Sequence, residues 1–63
     1  MTAYEQDILR RIPSMKMEAS SMLKLVSFLQ NSGKGDFNEE IDKWLDRIHY
    51  LDELEKQLKK KNE

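Results

Sequence analysis

Cysteine is absent from the 63 residues, and histidine occurs once, as His49. The first absence excludes a disulfide framework, and a single histidine with no thiol cannot build a transition-metal site of the usual kind. Proline occurs once and glycine twice, so regular structure has few places to break. No apolar run approaches the roughly 18–20 residues that a membrane-crossing helix needs. The opening residues, Met1 to Asp7, have no basic stretch followed by an apolar one, so no cleaved signal peptide is expected. These absences together predict a cytoplasmic chain that neither crosses nor binds a membrane.

Neither sign of charge dominates: 11 basic side chains stand against 12 acidic ones, which argues against a general nucleic-acid binder. The charges are nevertheless segregated. Residues 36–55 carry eight acids against Lys43 and Arg47, while the residues after them carry Lys56, Lys59, Lys60 and Lys61 against Glu63. A chain this short is one domain, residues 1–63, and folding hides only about 60% of the surface the unfolded chain exposes. With disulfides and metal excluded, a second subunit is the remaining usual means of enlarging such a core.

The sequence contains two hydrophobic stripes. Met1, Ile8, Ile12, Met15, Ala19, Met22, Val26 and Leu29 alternate spacings of four and three, with one step missing at Glu5. A second stripe, Phe37, Ile41, Trp44, Ile48, Leu51 and Leu58, follows a single Gly-containing break at residues 31–35. Both have the period of a helix that buries one face. Thr2 with Glu5, and Asp36 with Glu39, have the spacing of capping boxes at the two helix starts. Gly33 can take the left-handed conformation that closes the first helix. Acids at 39 and 40 and lysines at 59–61 complement the dipole of the second.

Pro13 is the one local conflict, since a proline inside a helix forfeits a hydrogen bond and disfavours helical angles at Ile12. The hydrophobic phase passes through it unchanged, which favours a kink over a break. The alternative is a short helix over residues 2–11 folding back as the third helix of a monomer. The predicted fold is therefore all-α: an antiparallel hairpin of a helix over about 2–31, kinked at Pro13, and a helix over about 36–61, dimerising into a four-helix bundle. The short connection makes the helices antiparallel neighbours. It sets Leu29 against Phe37, Val26 against Ile41, Met22 against Trp44, Ala19 against Ile48, Met15 against Leu51 and Ile8 against Leu58. Glu55 falls on the seam opposite Ile12, with Arg11 as its expected partner.

The seam leaves apolar residues unused. Leu9, Leu23 and Leu45 flank one side of it, and Leu25, Phe28, Tyr50 and Leu54 flank the other. Contiguous apolar surface of this kind marks an interface, so Leu23, Leu25, Phe28, Leu45, Tyr50 and Leu54 are the predicted protein-interface residues. The basic end, Arg10, Arg11, Lys56, Lys59, Lys60 and Lys61, is the candidate for nucleic-acid phosphate contact, the less favoured reading.

Chemistry is not predicted. Ser14, Ser20, Ser21, Ser27 and Ser32 have one histidine among them and no pocket-forming architecture. The acidic run Glu39, Asp42, Asp46 and Glu53 reads as a solvated helix face. Met1, Met15, Met17 and Met22 read as packing, with Met17 alone pointing away from the seam. No catalytic residue, metal ligand, cofactor or small-molecule substrate is expected.

The plan of about sixty residues folded as a dimerising hairpin resembles that of the plasmid copy-number RNA-binding proteins and of small hairpin chaperones of secretion systems. The likeness is one of architecture and carries no motif residues. The expected function is that of a small non-enzymatic adaptor, inhibitor or regulator, acting as a homodimer or with a partner protein. A nucleic-acid-binding regulator and a secretion-type chaperone are the alternatives.

Overall fold

The first turn of the chain is capped from both directions. In a computed structural model that describes residues 1–61, the Thr2 hydroxyl accepts from the Glu5 N–H at 3.0 Å, and the Glu5 carboxylate accepts from the Thr2 N–H at 3.1 Å. From this box α1 runs without interruption from Ala3 to Asn31. Pro13 lies inside α1 and is exposed, so the Leu9 carbonyl that it cannot bond lies toward water instead of in a dry core. The continuous α1 overturns the three-helix alternative: residues 2–11 do not fold back. An exposed proline removes one helical bond without creating a buried orphan, so α1 continues through it.

Gly33 ends α1 with φ +74°. Its N–H donates to the Gln30 carbonyl at 3.1 Å and the Lys34 N–H donates to the Leu29 carbonyl at 3.1 Å, the bond pair that satisfies the last carbonyls of a helix closed by a left-handed residue. A second helix, α2, spans Asn38–Lys61. It starts later than expected, and the Asp36–Glu39 capping box does not form. Asp36 Oδ1 instead accepts from the Asn38 N–H at 3.0 Å, a turn closed two residues on, while Phe37 occupies the cap position and its carbonyl accepts from the Ile41 N–H at 2.9 Å. The reason lies in the other helix. Gln30 Oε1 accepts from the Phe37 N–H at 2.9 Å, so the last turn of α1 supplies the acceptor that fixes where α2 begins.

The two helices pack antiparallel into a rod of 47 × 15 × 14 Å. Its register is fixed by bonds between the helices at the loop (Gln30 to Phe37), in the middle (Lys16 to Asp52) and at the open end (Glu5 to Lys61), in agreement with the pairing expected from the stripes. Ile12, Ala19, Val26, Leu51 and Leu58 are buried, and Ile12 alone is fully enclosed. The other stripe residues are half-buried, apart from the more exposed Met1. Two cylinders touch along a line, so a hairpin has a seam instead of an interior.

Ile12 is thus the most completely enclosed large side chain. Ile12→Ala is expected to cost about 2–5 kcal/mol, comparable with the roughly 3–5 kcal/mol that a core in a chain this small supplies. Urea denaturation followed by far-UV circular dichroism should show the variant largely unfolded. Native-like helicity and an unchanged midpoint would disprove the assignment.

Candidate functional site

The two sides of the seam differ in chemistry. On one side Lys16 spans the helices, its Nζ 2.7 Å from Asp52 Oδ1 and 2.8 Å from Glu55 Oε1. Both carboxyls are held below their usual range, chiefly because Lys16 bonds to the ionised form, and Lys16 is raised by Asp52 first and Glu55 second. Lys59 approaches the other oxygen of Glu55 at 3.9 Å. Glu55 therefore pairs with Lys16 and not with Arg11, which bonds Asp7 on its own helix at 3.1 Å. The geometry of the seam explains the difference. Lys16 is one turn from Ile12 on the same side as Glu55, whereas Arg11 leaves the helix about 100° away from Ile12.

This cluster separates the leftover apolar residues into two sets. Leu9 and Leu23 lie one heptad either side of Lys16, and Leu45 lies one heptad before Asp52, so these three share the Lys16 side. Only Leu45 among them is exposed. On the other side, Met15, Glu18, Ala19, Lys43, Trp44 and Arg47 line a shallow cleft of about 230 Å³. It falls below the roughly 300–1,000 Å³ of typical ligand pockets. Ala19 and Trp44 both line it, and Lys43 Nζ sits over the Trp44 ring at 5.3 Å from the centroid.

One heptad beyond Glu18, Lys43 and Arg47 come Leu25, Tyr50 and Leu54, which places these residues on the cleft side. Leu25 is 50% exposed, Tyr50 64% and Phe28, around the outer edge of the same side, 66%. Leu23 and Leu54 are half-buried. The six predicted interface residues are thus not one surface. Leu25, Phe28, Tyr50 and Leu54 form the cleft side, and Leu23 with Leu45 forms a smaller patch across the seam. Tyr4, 75% exposed, joins the cleft side two heptads before Glu18, a residue that sequence reasoning missed although its heptad position alone would have placed it there. Met17 is 73% exposed on the outer face of α1.

The basic end is largely self-neutralised. Lys61 bonds Glu5 at 2.8 Å, Lys59 approaches Glu55, Lys56 lies 3.7 Å from Glu53, and Arg11 holds Asp7. Arg10 and Lys60 have no ion pair among the described residues. Successive residues 59–61 also point about 100° apart around α2, so these cations do not share a face. Lys61 and, second, the Thr2 N–H lower the Glu5 carboxyl to about 2. His49 is exposed, as are Glu39, Asp42, Asp46 and Glu53, and among the described residues no group of three or more potential ligands could hold a metal ion. No described helix is long and apolar enough to cross a membrane. No protein-family model, curated protein or solved structure matches the chain.

The ion cluster sets the pH dependence. Glu5, Asp52 and Glu55 have folded values below their unfolded ones, so their contribution is present above the ordinary carboxyl range and is lost as pH falls through the folded values, that of Glu5 lying at about 2. Lys16 is raised, so its contribution is complete below 10.5 and is lost as pH rises through its folded value. Thermal midpoints should therefore form a plateau between these limits. Lys16→Met should lower the neutral-pH midpoint and flatten the acid limb, because Asp52 and Glu55 lose the cation that favours their ionised forms while the Glu5–Lys61 contribution remains. An acid limb of unchanged slope in the variant would show that the cluster does not couple to folding.

Proposed function

We propose that the chain is a non-enzymatic helical interaction module of the cytoplasm, an adaptor, inhibitor or regulator. It presents the cleft side of the hairpin to another helical surface. The observation that carries this reading is the exposure of Leu25, Phe28 and Tyr50 on one side of the seam, where large apolar side chains exceed what two helices can hide from each other. The rod exposes 5043 Å², against about 4,200 Å² for a compact monomer of its 7.5 kDa. Its radius of gyration, 14.6 Å, likewise exceeds the roughly 11 Å of a compact chain of this length.

The assembly that suits such a face is a four-helix bundle, in which two antiparallel helices lie across two others and the four close around a shared interior. The hairpin's two apolar flanks lie on opposite sides, so a single partner hairpin covers one of them. The cleft side, carrying the larger exposed residues, is the side proposed for contact. We further infer that α1 bends at Pro13, where the missing bond to the Leu9 carbonyl loosens the exposed face.

Photo-crosslinking in the native cells tests the reading. Phe28→benzoylphenylalanine and Tyr50→benzoylphenylalanine should give protein crosslinks, either to the chain itself or to another protein. The same group at Lys24, exposed on the outer face of α1, should give none. Crosslinks absent from both cleft-side positions would end the proposal.

A further inference from the structure

The cleft side carries a pattern that fits its own copy. Tyr4, Arg11, Glu18 and Leu25 stand one heptad apart along this side of α1 and read, in order, aromatic, positive, negative, aliphatic. Laid antiparallel on a second α1, the row sets Tyr4 against Leu25 and Arg11 against Glu18, each pair twice. The axis that does this crosses the rod at the level of Met15. The register places Asp52 at that level on α2, and about the same axis Tyr50 of one copy meets Leu54 of the other. Two rows on two helices thus become complementary about one axis. Glu18 has no ion pair among the described residues, and Arg11 holds Asp7 only through an exposed contact. Both charges are open to a partner.

We infer that the occupant of the cleft side is a second copy of this chain, related by a two-fold axis perpendicular to the helices near Met15. The loops then lie at opposite ends, and Arg11–Glu18 pairs cross the interface on both sides of the axis. The one like-charged match, Lys43 with Lys61, is blunted because Lys61 is neutralised by Glu5 and Lys43 lies over Trp44. The alternative axis, parallel to the rod, gives a poorer match: it sets Leu25 against Glu40 and Lys43, and Tyr4 against Lys61. The outward Lys16 side, whose central charges Lys16, Asp52 and Glu55 already pair within the chain, then remains the hydrated face.

The assignment rests on the interaction-module reading, and sedimentation equilibrium on the full chain separates the two. Wild type should dimerise. Arg11→Glu and Glu18→Arg should each weaken self-association about tenfold or more, because like charges then meet twice across the axis. An equimolar mixture of the two variants should recover the wild-type affinity, since every 11–18 contact in the heterodimer is again of opposite sign. Residues 11 and 18 are two helical turns apart on one helix, so no bond within a chain can mimic this recovery. If folding is coupled to association, circular dichroism of the mixture should regain helicity that the separate variants lack. A wild-type dimer with a mixture no tighter than its components would overturn the axis. A wild-type monomer whose positions 28 or 50 crosslink a different protein would overturn the second copy and leave the module reading standing. A monomer with no crosslink would end both.

Discussion

Two helices without a third can meet only along a line, and most properties of this chain descend from that constraint. The line encloses Ile12, Ala19, Val26, Leu51 and Leu58, and every other apolar residue stays at least partly wet. Stability must therefore be supplemented by groups that work at the edge of water: caps, a loop closed by side-chain and backbone bonds, and ion pairs across the seam. Each of these is individually modest. Their placement at the two ends and the middle of the rod gives them influence on register greater than their energies suggest.

The helices, their hydrophobic faces and their pairing were legible because each rests on local rules that repeat along the sequence. Thr2 and Glu5 satisfy the N–H groups of their own turn, and Gly33 adopts a conformation closed to most side chains, so both can be read without knowing the fold. The start of α2 could not be read in this way. It depends on the Gln30 side-chain oxygen accepting from the Phe37 N–H across the loop, and a glutamine at the end of a helix has no signature that announces such a bond. Glu55 was legible as a misfit on the seam, but its partner required geometry. The rule that selects Lys16 over Arg11 is the direction in which a side chain leaves the helix, not its distance along the chain.

The contrast between the two flanks was half legible. Heptad positions assign Leu23 and Leu25 to opposite sides of α1, yet they do not say which side is drier or which carries charges already paired. The structure adds that Lys16, Asp52 and Glu55 on one side are paired within the chain, whereas Glu18, Glu40 and Arg47 on the cleft side form no ion pair among the described residues. A surface with exposed apolar groups and open charges invites association in a way that neither property does alone. The basic end illustrates the reverse case. Its six cations look like a patch when counted, but neighbouring carboxylates and the turn of the helix disperse it.

The bonds between the helices have a further consequence for how the chain comes together. They span 7 residues at Gln30–Phe37, 39 at Lys16–Glu55 and 56 at Glu5–Lys61. Closing a loop costs more entropy the longer it is, though only logarithmically, so each contact made near the turn shortens the search for the next. Loop entropy alone therefore favours closure outward from Gly33. The pair at Glu5 and Lys61 closes the longest of the three loops, so it gains the most from contacts already made nearer the turn.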